Sequence, residues 1–318
     1  MLFADYQGEQ PGAAVMVIHQ GQPVLAKTFG LADLEHDTPV IPQTNFRLAS
    51  VTKQFTAMAI MILVERGKLD YANNLKDIFP DFPEYGKIVT VKHLLQHTSG
   101  LIAYEDLIPD TATIPVLDED VLTMMMGQDS TYFTPGSEYR YSNSGYAVLV
   151  IIIEMLSGKS FAKFLEENIF EPLGMNGTIA FQKGISNVKQ RAYGYIVKGD
   201  SLQFNDQSMT SSVLGDGGIY TSLIDLYKWD QALYTDQLVT NESLKQAFTP
   251  GLEEYGFGWR IDDYQGHRRV YHTGGTCGFR TAYLRYPDDQ LSIIILTNRR
   301  DPGVMDLAEK LTVLYLRE

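Results

Sequence analysis

The segment from Arg47 to Leu69, RLASVTKQFTAMAIMILVERGKL, decides how the rest of the chain can fold. Nine of the ten residues from Phe55 to Val64 are apolar, which predicts a helix buried on every side rather than an amphipathic surface helix. Gly67 follows this run and predicts the end of the helix. Ser50 and Lys53 stand three residues apart where the buried helix begins, so this position is the first candidate for a functional site.

The composition is that of a globular protein of 318 residues, of which 44% are apolar and 20% are charged. This length is sufficient for one big domain or two smaller ones with a large core. The net charge of −13 argues against nucleic acid and anionic membrane surfaces as partners, because both require basic patches. The single cysteine, Cys277, excludes a disulfide framework within the chain and a multi-cysteine metal site.

The sequence contains no recognisable membrane or targeting segment. Its apolar runs are shorter than the roughly 20 residues that cross a bilayer, so we expect no transmembrane segment. Residues 1–30 lack a basic region followed by an apolar region, so no signal peptide is visible. The localisation is left open between cytoplasmic, as the chain is written, and periplasmic or secreted, if a signal has been trimmed.

Strand patterns occur near both ends of the chain, and helix patterns lie between them. Residues 12–30 alternate apolar and polar positions around a turn at residues 20–22, which predicts a β-hairpin. Helix signals dominate from about residue 70 to 200, and four short β-rich runs and an amphipathic stretch follow Gly215. We therefore predict an α+β fold, with an antiparallel sheet flanked by helices, built from both chain ends, and an inserted all-helical lobe. The predicted boundaries are a single domain over residues 1–318, a sheet lobe at about 1–69 and 215–318, and a helical lobe at about 70–214.

A serine and a lysine at this spacing have a specific chemical use. Residues i and i+3 lie on the same face of a helix, and a hydroxyl at a helix N-terminus lies in a field that favours developing negative charge. Burial disfavours the charged form of an amine, so Lys53 is suited to accept the proton of Ser50. The same spacing occurs at Ser160–Lys163 and Ser186–Lys189, where a capping serine and a solvated lysine explain it.

Two later motifs carry groups that fit the same reaction. Tyr141-Ser142-Asn143 precedes a second apolar helix, near Tyr146–Leu156. A tyrosine beside a cation can serve as acid or base, and an asparagine amide can bind both a lysine and a substrate carbonyl. The motif His272-Thr273-Gly274-Gly275 ends a predicted strand, where glycines let the backbone approach a substrate and donate an N–H group.

These three motifs, in the order Ser-x-x-Lys, Tyr-Ser-Asn and His-Thr-Gly, resemble those of the serine β-lactamase and penicillin-binding-protein superfamily. The tyrosine form is similar to the branch that holds class C β-lactamases, DD-carboxypeptidases, D-amino-acid amidases and family VIII esterases. The resemblance covers nearly the whole chain and implies the same antiparallel sheet and helical lobe. Further matching stretches are FRLASVTKQFTA, VKHLLQHTSGL, YRYSNSGYAVL, IFEPLGM, GDGGIYTSLIDLYKW, YGFGW, YHTGG and IIILTN.

The resemblance implies roles for the residues of the first two motifs. Ser50 is implied to be the nucleophile that forms an acyl-enzyme. Lys53 and Tyr141 are implied to share the proton transfers, and the base for acylation is left open between them. Asn143 is implied to position Lys53 and the substrate amide. We expect neither a cofactor nor a metal.

The third motif is implied to bind the substrate. The backbone N–H groups of Ser50 and Gly275 are implied to form the oxyanion hole, and His272 and Thr273 to line the strand edge along which the substrate lies. Class C β-lactamases have lysine at the place of His272, whereas histidine, mostly neutral at about pH 7, is commoner among peptidase-like and esterase-like members. Arg280 is a candidate clamp for a substrate carboxylate, or equally a strand arginine in a surface ion pair.

The leading hypothesis is a serine hydrolase that acts through an acyl-enzyme on an amide or ester of a small-molecule or peptide substrate. A D-amino-acid peptidase or DD-carboxypeptidase ranks nearly level with a carboxylesterase, and a β-lactamase ranks third. A non-catalytic penicillin-recognising binding protein is the rival from another class, and the intact polar residues of the first two motifs argue against it. The sequence does not determine the oligomeric state.

Some other residues are weaker candidates. His93 and His97 are spaced for one helix face, but Leu94 stands where a metalloprotease needs glutamate, so a metallohydrolase is a remote alternative. Asp216-Gly217-Gly218 predicts a turn at the edge of the cleft, with no chemistry assigned to it. Tyr104, Tyr220 and Trp259 are aromatic candidates for the cleft.

Overall fold

A computed structural model of the chain describes residues 2–199 and 201–316. Most of its helices lie in the middle of the chain, and its long strands lie near the two ends. The α-helices are α1 (Lys53–Glu65), α2 (Leu75–Ile78), α3 (Val91–Leu95), α4 (Asp118–Met126), α5 (Asn143–Ser157), α6 (Phe161–Leu165), α7 (Glu171–Leu173), α8 (Leu223–Ala232), α9 (Asn241–Ala247) and α10 (Met305–Tyr315). The strands are β1 (Ala13–His19), β2 (Gln22–Phe29), β3 (Leu31–Asp33), β4 (Thr38–Pro39), β5 (Phe46–Arg47), β6 (Ile179–Ala180), β7 (Tyr195–Lys198), β8 (Ser201–Phe204), β9 (Ile219–Thr221), β10 (Arg260–Tyr264), β11 (His267–Thr276), β12 (Phe279–Tyr286) and β13 (Leu291–Thr297).

The main sheet has six antiparallel strands in the order β10-β11-β12-β13-β1-β2. Strand β1 pairs with β13, so that Ala13 lies opposite Thr297 and the two ends of the chain share one sheet. The predicted hairpins are present, because β1 and β2 are joined by a turn at Gln20 and β12 and β13 by the turn at Pro287–Asp289. The predicted sheet built from both chain ends is confirmed.

The two faces of this sheet pack against different helices. On one face, Ile294 and Leu296 of β13 join the large core that also contains α1 and α8. On the other face, Ile293 and Ile295 join a smaller core under α10. Because side chains alternate along a strand, any residue of the sheet can be assigned to one face from its register. We call these the inner face, toward α1, and the outer face, toward α10.

Helix α1 is the buried helix that the opening segment predicts. Every side chain from Lys53 to Leu63 is buried. The helix ends as expected, because Gly67 has a φ of 66° and the Lys68 N–H donates to the Leu63 carbonyl at 3.0 Å, a Schellman-type termination. A helix without a solvated face fixes its N-terminus in the interior of the protein, which places Ser50 and Lys53 between the sheet and the helical region.

The helical region is shorter than predicted. Helices α2 to α7 end at Leu173, and residues 174–214 contain the short strands β6, β7 and β8 instead of further helices. Strand β6 pairs with β9, and β7 pairs with β8 across a turn at Gly199, where φ is 61°. The physical reason is local, since in YIVKGDSLQF a run of aromatic and β-branched residues, YIV, and a short run, SLQF, lie on either side of a glycine, which is a hairpin pattern. Within the described residues, no helix combines the length and the apolarity needed to cross a membrane.

Candidate active site

Ser50 lies in a 3₁₀ turn, Ala49–Thr52, that leads directly into α1. Ala49, the residue before it, is in the left-handed region with a φ of 49°, a conformation that costs a non-glycine residue about 1–2 kcal/mol. The turn is held against the inner face of the sheet, where the Thr281 hydroxyl donates to the Leu48 carbonyl at 2.7 Å. A Cβ atom on Gly274 would lie only 2.1 Å from that carbonyl oxygen. The glycine is therefore what lets β11 approach the Ser50 turn so closely.

Lys53 is fully buried, and its ammonium group is surrounded by oxygen atoms. The Nζ atom lies 3.3 Å from Ser50 Oγ, 2.8 Å from Asn143 Oδ1 and 3.0 Å from the Asp216 carbonyl oxygen. The pair that the sequence predicts is therefore in direct contact, and Asn143 contacts the lysine as expected. Three acceptors match the three N–H donors of a lysine ammonium.

Asn143 is held in place by both of its amide atoms. It is the first residue of α5, after Ser142, whose hydroxyl accepts the Gly145 N–H at 3.2 Å and caps the helix. Its Oδ1 accepts from Lys53, and its Nδ2 donates to Glu105 Oε1 at 2.7 Å. Because the amide bridges a cation and an anion, its orientation is fixed without a substrate.

Tyr141 packs its ring against Lys53 and is anchored by a histidine. Lys53 Nζ lies 4.8 Å from the centre of the Tyr141 ring. The centres of the His97 and Tyr141 rings are 4.2 Å apart. His97 is fully buried, its Nδ1 accepts the Ser142 N–H at 3.1 Å, and its carbonyl accepts the Arg140 N–H at 2.9 Å. His97 therefore fixes the backbone on both sides of Tyr141. The Tyr141 hydroxyl is buried and has no hydrogen-bond partner among the described residues.

His272 is buried behind this tyrosine rather than exposed to the cleft. Its Nδ1 donates to the Thr273 carbonyl at 2.6 Å, and its Nε2 accepts from the Tyr255 hydroxyl at 2.9 Å. Burial, with a contribution from the positive charge of Lys53, lowers the pKa of His272 to about 3. The imidazole is thus neutral, and both of its nitrogens are used inside the protein. A substrate can meet this residue only through its backbone.

Thr273 and Arg280 lie on the outer face of the sheet. Gly274 and Thr281 pair opposite each other and face the Ser50 turn, so Thr273 and Arg280, one position away on each strand, face outward. The Arg280 guanidinium lies over Gly275 and donates to the Phe279 carbonyl at 2.7 Å. The structure therefore does not bring the Thr273 and Arg280 side chains together with Ser50.

The second half of β11 has one unpaired edge. Strand β10 pairs with residues 267–271 of β11, whereas residues 272–276 pair only with β12 among the described residues. A strand edge of this kind presents backbone N–H and C=O groups to an extended ligand. Gly275 lies in this free segment and is exposed.

Ser50 opens into a small cavity of about 120 Å³. Ser50, Asn143 and Gly275, which the sequence predicts for the site, are on its walls. The complete lining is Arg47, Ala49, Ser50, Tyr104, Glu105, Asn143, Thr210, Asp216, Gly217, Gly275 and Thr276. Of the three aromatic candidates, Tyr104 lines this cavity and Tyr220 and Trp259 do not.

Asp216 is a lining residue to which the sequence analysis assigned no chemistry. Its side chain is buried, and burial raises its pKa to about 6. The Tyr104 hydroxyl donates to its Oδ2 at 3.4 Å. The sequence signal for this residue was an Asp-Gly-Gly triplet, which predicts a turn and gives no indication that its side chain is buried.

The remaining weak candidates have structural roles. Ser160 caps α6 by accepting the Lys163 N–H at 3.3 Å, and Lys163 forms ion pairs with glutamates on the surface. His93 caps α3 through its Nδ1, which accepts the Thr90 N–H at 3.2 Å. Helix α3 ends at Leu95 and His97 has a φ of 58°, so His93 and His97 do not share a helix face as their spacing predicts.

A family model described as Beta-lactamase matches residues 2–316 of the chain. The chain belongs to this β-lactamase family. Penicillin-binding protein 4* of Bacillus subtilis (strain 168) is 34% identical over 314 residues, which cover 92% of this chain and 69% of that protein. The resemblance that the three motifs indicate is therefore confirmed.

Solved structures of family members have the same fold. A structure of an octameric penicillin-binding protein homologue from Pyrococcus abyssi has a TM-score of 0.85 and 28% identity, covering 96% of this chain and 73% of that one. A penicillin-binding protein from Bacillus halodurans has a TM-score of 0.84 and 27% identity, covering 96% of this chain and 95% of that one. The predicted β-lactamase and DD-peptidase type of fold is confirmed by these similarities.

Proposed function

We propose that this chain is a serine hydrolase that forms an acyl-enzyme on Ser50 with a peptide-like amide or an ester. The observation that carries the proposal is the buried lysine whose Nζ contacts Ser50 Oγ, Asn143 Oδ1 and the Asp216 carbonyl. A D-amino-acid peptide or amide is the substrate class that the family resemblance favours. Family membership alone does not establish catalysis, so the residues and their geometry must support it.

The contacts of Lys53 allow one proton to move without rearranging the others. Asn143 Oδ1 and the Asp216 carbonyl are acceptors only, so two N–H bonds of the lysine always point to them. The third tetrahedral position of the Lys53 nitrogen faces Ser50 Oγ. When the lysine is an ammonium, Ser50 Oγ accepts its hydrogen bond, and when the lysine is a neutral amine, the serine hydroxyl donates to it. In the neutral form, the lysine lone pair therefore points at the serine proton. This arrangement supports Lys53 as the base that activates Ser50.

Tyr141 is then left to protonate the leaving group. Its ring lies against Lys53, and its buried hydroxyl has no hydrogen-bond partner among the described residues, so its capacity to donate a proton is not used within the protein. When Ser50 attacks the carbonyl carbon, the scissile bond breaks and the leaving nitrogen or oxygen needs a proton. Tyr141 supplies this proton and recovers one from the Lys53 ammonium. In deacylation, water attacks the ester and the transfers run in reverse.

The negative charge of the tetrahedral intermediate requires donors opposite Lys53. Ser50 and Gly275 lie on the walls of the same cavity, and backbone N–H groups at these two positions would stabilise an oxyanion. The extended part of the substrate would lie along the free edge of β11 at residues 272–276. No side-chain cation from β11 or β12 lines the cavity, which favours substrates without a carboxylate at that position.

The experiment compares the wild-type protein with Ser50→Ala on three substrates and one probe. The substrates are a D-alanyl amide, a short-chain nitrophenyl ester and a chromogenic cephalosporin, and the probe is a fluorophosphonate. Wild-type turnover of at least one substrate and labelling at Ser50 are expected, and both should be lost in Ser50→Ala, which keeps the fold because it removes one oxygen.

Labelling of Ser50→Ala at another serine, such as Ser160, would overturn the assignment of the nucleophile. Stable labelling of the wild-type protein by penicillin, with no turnover of any substrate, would favour the non-catalytic penicillin-recognising protein instead. Lys53→Met is a useful partner variant, since it keeps the length and burial of the side chain and removes only the amine. It should lose labelling almost as completely as Ser50→Ala.

A further inference from the structure

Five aspartates of the described residues are buried, and four of them accept two or more hydrogen bonds. Asp118 accepts two backbone N–H groups at 2.8 and 3.1 Å. Asp206 pairs with an arginine and accepts a backbone N–H at 3.0 Å. Asp225 accepts a backbone N–H at 2.8 Å, a threonine hydroxyl at 2.9 Å and a lysine at 3.1 Å. Asp230 accepts from two hydroxyls at 2.7 and 2.6 Å and from an arginine at 3.1 Å.

Asp216 is the exception among these buried aspartates. Its carboxylate accepts one long hydrogen bond, 3.4 Å from the Tyr104 hydroxyl, and no ion pair to it is formed within residues 2–199 and 201–316. A buried carboxylate with a single long hydrogen bond is destabilising, because most of its lost hydration is not replaced. Asp216 is also the one buried aspartate on the wall of the Ser50 cavity. Asp216 and the nucleophile Ser50 therefore line the same cavity.

The nearby cations are already committed to other acceptors. The three N–H groups of the Lys53 ammonium point to Ser50 Oγ, Asn143 Oδ1 and the Asp216 carbonyl oxygen. The guanidinium of Arg47 donates to the Gly217 carbonyl at 3.0 Å, to Gln207 Oε1 at 3.1 Å and to the Ser211 carbonyl at 2.7 Å. Glu105, a second acidic residue of the cavity wall, is bound to the Asn143 amide. The charges of Lys53 and Arg47 lower the pKa of Asp216 through space without offsetting its burial, and neither cation donates a hydrogen bond to its carboxylate among the described residues.

We propose that Asp216 binds the ammonium group of the substrate's acyl portion, so that the enzyme prefers aminoacyl substrates with a free α-amine. This inference rests on the proposed function and names its substrate class. A cavity of about 120 Å³ is small beside the roughly 300–1,000 Å³ of ordinary ligand pockets, so it suits a short aminoacyl group such as alanyl. A substrate ammonium would give the carboxylate the partner that the protein does not supply.

The test uses two amides of equal shape. D-Alanyl 4-nitroanilide carries an ammonium where isobutyryl 4-nitroanilide carries a methyl group, so the ratio of their kcat/KM values measures recognition of that charge. The variant is Asp216→Asn, which keeps the size and the acceptor for Tyr104. A charged hydrogen bond contributes about 1.5–3 kcal/mol, so the ratio should fall by roughly ten-fold to a hundred-fold in the variant.

The control is Asp106→Asn, which removes an exposed carboxylate from the turn that carries Tyr104. It should leave the ratio within about two-fold of the wild-type value, since a solvent-screened charge contributes little. An unchanged ratio in Asp216→Asn would overturn the inference while leaving the hydrolase intact. Absence of wild-type turnover and of fluorophosphonate labelling would instead overturn the proposed function and the inference with it.

A second measurement needs no variant, in case Asp216→Asn does not fold. The same ratio is measured for the wild-type protein against pH. The ratio should rise as the pH passes the Asp216 pKa of about 6 and fall again above about pH 8, where an α-amine loses its proton. A ratio that is flat from pH 5 to about pH 7 would overturn the inference. The charged and titratable groups that influence the carboxyl are Lys53, Glu105, Arg47, Tyr104 and Asp118.

Discussion

Replacing Asp216 by asparagine should make the protein more stable at neutral and alkaline pH. Burial raises the pKa of the Asp216 carboxyl from its ordinary value of 3.8 to about 6, so the folded protein prefers the neutral acid. Ionisation above that pH therefore opposes folding. At about 1.36 kcal/mol for each pH unit, the difference between 3.8 and about 6 corresponds to a cost of about 3 kcal/mol. Asparagine is neutral at every pH and avoids this cost.

The sign of the effect follows from proton linkage. Between about pH 4 and 6 the folded state holds a proton at Asp216 that the unfolded chain has lost, so the stability of the wild-type protein falls as the pH rises through this window. Below about pH 4 the carboxyl is neutral in both states, and the variant has no advantage. The difference in unfolding free energy should therefore grow from near zero at about pH 4 to about 3 kcal/mol at about pH 8.

Urea unfolding at several pH values measures this difference. Trp229 and Trp259 are both buried, so their fluorescence reports the loss of the core. Asp106→Asn again serves as the control, because its exposed carboxylate should give a difference that changes little with pH. The reasoning fails if the Asp216→Asn advantage is the same at every pH, or if the variant is less stable than wild type at about pH 8.

Three further predictions concern the proton path and its supports. Lys53→Ala and Tyr141→Phe should each lower kcat/KM by about a hundred-fold or more, and the double variant should be little worse than the worse single one; additive losses would contradict a shared proton path. Tyr255→Phe leaves His272 Nε2 buried without a donor and should lower the free energy of unfolding by about 1–3 kcal/mol, measured in urea. Because the His272 pKa is about 3, the pH profile of kcat should not move, and a moved profile would show that this histidine titrates in catalysis. Thr281→Val removes the hydroxyl bond that holds the nucleophile's turn and should lower kcat with little change in KM; an unchanged kcat would show that the turn is held without it.

Much of the fold was predictable, because strong local patterns decide it. The nearly all-apolar run of α1 has no face that suits solvent, and the strand patterns near both ends, with helices between them, favour one sheet built from both. The order of three short motifs was enough to predict the family. The strands within residues 174–214 were missed because each is two to four residues long, too short for periodicity to register.

The site was less predictable where tertiary contacts decide it. The sequence suggests that His272 is accessible, but Tyr255 covers it. The residues around His272 and those around Tyr255 contain no pattern that predicts their contact. The outward direction of Arg280 follows from the two-residue turn at Cys277, which pairs Gly275 with Arg280; a different turn length would have reversed its face. Asp216 lies in a glycine-rich turn, and composition does not tell which way a turn residue points.

The pairing of β1 with β13 has a consequence for biosynthesis. Ser50 and Lys53 leave the ribosome well before Gly275 and β13, the strand that joins the two ends of the sheet. At roughly 5–20 residues per second, the nucleophile waits on the order of ten seconds or longer for its oxyanion donor. Until then β1 has no partner on that side, and the turn that carries Ser50 has no strand to rest against. A nascent chain, or one truncated before β13, would therefore hold a serine and a lysine without a working site, so hydrolysis would begin only after β13 has been made and has paired with β1.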